Sequence, residues 1–147
     1  MIGVQAEQCS PIVQAFEKNA LTVEAGQRGS TIASAIADPL VGYDQDGTIT
    51  LKAIYESNGL GISVTDNEVV DAVLKLGSRE GLYVEPASAA AWAAYEKLVR
   101  SKKIAKDGLA VLMLTGSGLK QPLPDTNLNR EIPLLEPSLA DFEKHMI

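Results

Sequence analysis

Two short blocks of this 147-residue sequence carry the residue types suited to ligand chemistry. Thr115-Gly116-Ser117-Gly118-Leu119-Lys120 follows an unbroken apolar run, Leu109 to Leu114, and Glu85-Pro86-Ala87-Ser88-Ala89-Ala90 follows Leu82-Tyr83-Val84. Each block places small and polar residues where a strand would stop, which is where ligands sit in an open α/β sheet. Thr115 offers a hydroxyl, Gly116 allows close approach, and Glu85 supplies a carboxylate. Plain readings stand beside these. The first block can be a glycine-rich turn that merely ends a strand, and Glu85, one residue before Pro86, can complement a helix dipole. A Walker phosphate loop is excluded, because Lys120 lacks the spacing and is not followed by Ser or Thr. Gly116-Ser117-Gly118 lacks the third glycine of a dinucleotide fingerprint. Ser88 has no base beside it in sequence and is discounted as a nucleophile. Cys9, just ahead of a helix start, is either an activated thiol or a small packed residue. With one cysteine and one histidine, His145, a Cys/His metal cage and a Ser-His-Asp triad are both excluded.

The hydrophobic pattern supplies a scaffold for the two blocks. Ile2 to Ala6 reads as a short strand, and Ser10-Pro11 as the start of a helix carrying Ile12, Val13 and Phe16 and stopping near Asn19. Small residues from Ser30 to Ala37 suggest a short element with something packed closely against it. Pro39, Gly42 and Gly47 mark turns. Thr48 to Asn58 is a helix with Leu51, Ile54 and Tyr55 on one face, and Gly59 is placed to cap it. Gly61 to Val64 is a strand running into Thr65-Asp66-Asn67-Glu68, a capping box; the helix behind it buries Val69, Val70, Val73 and Leu76 and stops near Gly77. Pro86 to about Lys102 is an alanine-rich helix with Trp92, Tyr95 and Leu98 toward the core. Leu109 to Leu114 reads as a central strand covered on both faces. Strands that feed directly into helices are the units of a parallel α/β sheet. Prolines 122, 124, 133 and 137 predict an extended tail over 123–147, closed by a short helix from Leu139 to Met146.

Composition narrows the function classes. Thirteen Lys and Arg against 19 Asp and Glu give a net charge of −6, and without a basic run the chain is a poor nucleic-acid partner. No stretch of eighteen apolar residues is present, and no signal peptide is visible, so a cytoplasmic setting away from membranes is expected.

Four blocks taken together extend this reading: Gly3-Val4-Gln5-Ala6-Glu7, Thr31-Ile32-Ala33-Ser34-Ala35-Ile36, Gly81 to Ala90, and Leu114 to Lys120. In order and spacing, over residues 1–122, they resemble the C-terminal part of the threonine synthases. These are pyridoxal-phosphate enzymes of the tryptophan-synthase-β-like fold (fold type II). The Val-Glu-Pro-Ala-Ser-Ala block alone also fits the serine/threonine dehydratases of the same fold. The resemblance implies an α/β three-layer sheet with flanking helices. It also implies that Thr115 and Gly116 lie at the pyridine nitrogen of the cofactor, with Glu85 beside them and Ala33 on the strip flanking the ring face. The implied reaction of the parent enzyme converts O-phosphohomoserine, a phosphorylated amino acid, and water to threonine and phosphate. The family's Schiff-base lysine and phosphate loop are not among these residues, and Lys120 is not that lysine. The resemblance therefore implies a fragment, inactive and without cofactor when isolated. Its missing N-terminal half would be its partner, and exposed edges would drive homo-oligomers. A ligand-binding module that kept the fold without the chemistry is the alternative outside enzymes.

Overall fold

The computed structural model describes residues 1–121, 123 and 135–146. Two strands, β1 (Ile2–Ala6) and β2 (Leu60–Val64), pair in parallel with Ile2 opposite Leu60 and Ala6 opposite Val64. Between them run α1 (Pro11–Glu17) and α2 (Asp44–Glu56); after β2 come α3 (Asp66–Lys75) and α4 (Pro86–Arg100). The strand alternation sorts the two faces. Val4, Ile62 and Val64 face α4 and the α3 behind it, within a core that includes Val69, Val73, Leu76 and Leu98. Gly3 and Gly61 face the other way, where the lack of side chains lets α1 and α2 settle onto the strands. A β-carbon at Gly61 would lie 3.1 Å from the Phe16 ring, and one at Gly3 2.7 Å from Ile54 Cδ1. The result is the expected three-layer α/β arrangement.

α4 owes its position to its composition. Ala87, Ala89, Ala90, Ala93 and Ala94 are all buried, so the helix backbone lies close to the sheet and to α3. Leu98 and Leu76 fill the remaining space, each worth roughly 1.5–3 kcal/mol on burial. Trp92 and Tyr95, expected in the core, are half-buried, with ring centroids 5.9 Å apart, and the buried Trp92 Nε1 has no hydrogen-bond partner among the described residues.

Several local expectations shift. Ser10 precedes Pro11, but its hydroxyl donates to the Glu7 carbonyl at 3.2 Å instead of capping α1. α2 begins at Asp44, one turn early, and takes in Gly47, which is needed in a helix here because a β-carbon would run into Leu40 and Val23. Asn58 (φ 47°), not Gly59, adopts the left-handed conformation after α2; Gly59 instead makes room for the Met1 carbonyl. α3 passes through a wide turn, Leu76–Glu80, that ends at left-handed Gly81.

The main correction concerns Leu109 to Leu114. This run joins no strand among the described residues, and Leu109, Val111 and Met113 are 99%, 82% and 73% exposed. An apolar run specifies a central strand only when neighbours pair with both its edges, because strand preference is largely cross-strand packing. The extended tail expected from residue 123 lies largely outside the described residues; α5 (Leu139–Met146) is helical.

The capping box at α3 forms as expected. Glu68 N donates to Thr65 Oγ1 at 3.2 Å, and Thr65 N donates to Glu68 Oε2 at 2.9 Å. The same carboxylate accepts from Lys97 at 3.1 Å, tying α3 to α4. Partial burial pushes the Glu68 carboxyl up, but the Thr65 backbone N–H and Lys97 outweigh it and hold the group below its usual 4.5. A lowered folded-state value means the stabilisation is complete above the ordinary carboxylate range and lost as pH falls through the lowered value. Glu68→Gln keeps a capping-box acceptor but loses the charge, and should therefore cost about 0.5–1 kcal/mol at pH 7. Urea denaturation at pH 7 and at pH 3 checks this, the gap between variant and wild type narrowing at the lower pH.

Candidate functional site

The two blocks singled out by their residue types meet at the start of α4. Pro86 occupies the first helical turn, and Glu85 before it is extended (φ −69°, ψ 156°). Val84 and Ser117 form an isolated antiparallel bridge, with Glu85 N donating to the Gly116 carbonyl at 3.1 Å and Gly118 N to the Tyr83 carbonyl at 3.0 Å. The crossing requires glycines at specific places. A β-carbon on Gly116 would fall within the Glu85 carboxylate, and one on Gly118 would sit 2.6 Å from the Tyr83 ring. Glu85 is the N-cap residue of α4 but makes no side-chain cap hydrogen bond, so its carboxylate meets the helix N-terminus through charge alone. Its side chain is 8% exposed, packed over Gly116, with Lys120 Nζ at 4.0 Å.

Ser88 anchors the crossing. It is 1% exposed, its Oγ accepts from Gly116 N at 2.5 Å, and it lies 3.2 Å from Thr115 Oγ1. Sequence reasoning set Ser88 aside as a nucleophile and missed this supporting role. The signal available was a lone hydroxyl in an otherwise alanine first turn. Asp66 and Gln121 were missed as well. Asp66 accepts from Thr31 Oγ1 at 2.5 Å and from Ile32 N at 3.1 Å, while Gln121 Nε2 donates to the Ile32 carbonyl at 2.7 Å. These bonds fix the strip that contains Ala33, which is fully buried against Ala6 and Ala87. Ala33 thus stands behind the wall that Ala87 presents, while Thr115, Gly116 and Glu85 cluster at one point.

Thr115 is exposed and opens onto a groove of about 720 Å³. One side of the groove is β1 (Ile2, Val4), the floor is the alanine face of α4, and the far side is the extended Leu109–Met113 segment. The lining is mostly apolar, with the Thr115 hydroxyl at its end. That donor set fits a flat heterocycle with a nitrogen acceptor at its edge. A second, small cavity of about 170 Å³ is bordered by Glu7 and Asp66, an acidic setting unsuited to a phosphate. Among the described residues, no group of three His, Cys, Asp or Glu is placed to hold a metal ion, and no helix is long and apolar enough to cross a membrane. Cys9 is buried; burial first, then Asp38, push its thiol up despite Arg28, so it is the packed residue and not the activated one.

The family model for pyridoxal-phosphate dependent enzymes matches residues 1–116, and the chain belongs to that family. Within it, the chain is 41% identical over 122 residues to the threonine synthases of Methanocaldococcus jannaschii and Methanosarcina acetivorans; the match covers 83% of this chain and 29% of each relative. The threonine synthase of Mycobacterium leprae is 33% identical over 141 residues, 96% of this chain and 35% of that one. The chain thus spans about a third of the length of the relatives it matches. Among solved structures, a T.th. threonine deaminase superposes with a TM-score of 0.58 at 20% identity, over 90% of this chain and 41% of that one. Maize serine racemase gives a TM-score of 0.50 at 17% identity, over 69% of this chain and 30% of that one. These likenesses support the same α/β fold.

The close contact at Gly116 generates a prediction. Gly116→Ala should destabilise the chain by about 2 kcal/mol through overpacking against Glu85. Glu85→Ala should relieve the clash, so the double-mutant cycle should show coupling of about 1 kcal/mol. Additive effects in thermal denaturation would mean that Gly116 is required for a different reason.

Proposed function

We propose that this chain forms the ring-nitrogen wall of the pyridoxal-phosphate site in a threonine synthase, an enzyme converting O-phosphohomoserine and water to threonine and phosphate. The observation that carries the reading is the exposed Thr115 hydroxyl at the end of an apolar groove, held from behind by Ser88. The cofactor, when bound, supplies the electron sink for the reaction. Thr115 would hold the pyridine nitrogen by a neutral hydrogen bond, a partner that would not protonate it and would so moderate the sink. Gly116, tied to Ser88 and Glu85 beside the groove, holds Thr115 in place, and the Ala87 wall, backed by Ala33, would exclude water from one side. Glu85 stands beside Gly116 with Lys120 near it. A serine/threonine dehydratase of the same fold is the second reading, supported by the Val84 to Ala89 block, which fits those enzymes as well.

The lysine that links the cofactor and the loop that holds its phosphate would come from sequence outside these 147 residues. β1 carries a strand on one edge only among the described residues, and Leu109, Val111 and Met113 expose apolar side chains across the groove. An open edge beside exposed apolar residues favours pairing. The partner is therefore the remaining portion of the enzyme, with self-association as the outcome in its absence, and the isolated chain is inactive.

The test pairs this chain with the remaining sequence of a threonine synthase, supplied as a second polypeptide, and measures binding of pyridoxal phosphate by its visible absorbance. Thr115→Val should weaken cofactor binding about five- to tenfold, the loss of one directed hydrogen bond, while Thr115→Ser should stay near wild type. Equal binding by all three proteins would reject the assignment of Thr115, and threonine formation from O-phosphohomoserine separates the synthase from the dehydratase.

A further inference from the structure

We infer that Ser88 is a positioning residue that fixes which way the Thr115 hydroxyl gives its proton, so that Thr115 always presents a hydrogen-bond donor to the groove. The inference rests on the reading of that groove as the wall of the cofactor site. A serine hydroxyl has one proton to donate and two lone pairs to accept with. Ser88 is 1% exposed, so its proton has to find a protein acceptor and not bulk water. One lone pair is already taken by Gly116 N at 2.5 Å. The other group within hydrogen-bond distance, among the described residues, is Thr115 Oγ1 at 3.2 Å, a contact in which either oxygen could be the donor.

The two directions are not equivalent. With Thr115 donating, Ser88 would receive two bonds and its own proton would be buried without an acceptor. With Ser88 donating, every group is matched: Gly116 gives to Ser88, Ser88 gives to Thr115, and the proton of Thr115 is left over. Thr115 is exposed and borders the groove, so that proton points toward whatever occupies it. The chain of bonds thus runs outward from a buried backbone amide to a hydroxyl at the surface of the groove. The ligand chemistry it matches is an unprotonated nitrogen acceptor at the edge of a flat ring. Ser88 touches neither ring nor substrate; it acts through Thr115.

The test needs no cofactor and uses the 147-residue chain. In proton NMR at low temperature, the Ser88 hydroxyl should exchange slowly and show a cross-relaxation peak to the Thr115 methyl group, while the Thr115 hydroxyl should be lost to rapid exchange. The three-bond couplings of the Thr115 methyl carbon should report one rotamer in the wild type and averaged rotamers in Ser88→Ala. If Ser88→Ala does not fold, Ser88→Cys keeps the volume with a weak donor and should show the same averaging in part. A slowly exchanging Thr115 hydroxyl, or rapid exchange of both, would overturn the inference. So would an unchanged Thr115 rotamer in a folded variant. Cofactor binding that is independent of Thr115, with these signals intact, would instead refute the proposed function and leave the bond direction standing.

Discussion

The structure depends on how closely one backbone can pass over the first turn of α4. At Gly116 the crossing chain lies against the Glu85 carboxylate and donates its amide to the buried Ser88 hydroxyl. No side chain fits there. With glycine in place, the Val84–Ser117 bridge closes, Thr115 arrives at the end of the groove, and the Leu109–Leu114 segment is led along the far side of β1 and α4. A two-stranded sheet could not by itself specify the position of a segment so much further along the chain. Three hydrogen bonds and steric allowances at Gly116 and Gly118 do so.

The same economy of side-chain volume recurs through the core. Gly3 and Gly61 admit α2 and α1 to one face of the sheet, and the alanines of α4 admit that helix to the other. Close packing by small residues gains dispersion contacts along backbones that bulkier side chains would hold apart. It also leaves the groove beside Thr115 lined mostly by apolar residues. The polar groups that hold these walls lie behind them: Asp66 and Gln121 on the Thr31–Ser34 strip, and Glu68 between α3 and α4.

Much of this was legible in the residues. The parallel unit from Ile2 to Ala6, the capping box at Thr65 and Glu68, and the helix opened by Pro86 follow from local patterns whose physics is local. The joining of Thr115–Gly116 with Glu85 was anticipated only through family resemblance, since nothing within either block encodes a contact with the other. Ser88 was rightly set aside as a nucleophile, but its tie to Gly116 and Thr115 crosses from one block to the other and is not written in either. Leu109 to Leu114 was read as a central strand because its composition describes the environment it suits, and composition is silent on whether neighbouring strands are there to provide it. Asn58 took the left-handed position expected of Gly59 because the Met1 carbonyl, distant in sequence, claimed the space at the glycine.

Trp92 gives the molecule an optical handle. It is the single tryptophan, it lies on the helix that carries Ser88, and its indole nitrogen is buried beside Tyr95 with no hydrogen-bond partner among the described residues. Emission from this half-buried indole is fed by the neighbouring phenol, 5.9 Å away between ring centroids. The fluorescence of the chain therefore reports the docking of one helix, the one on which the candidate site is built.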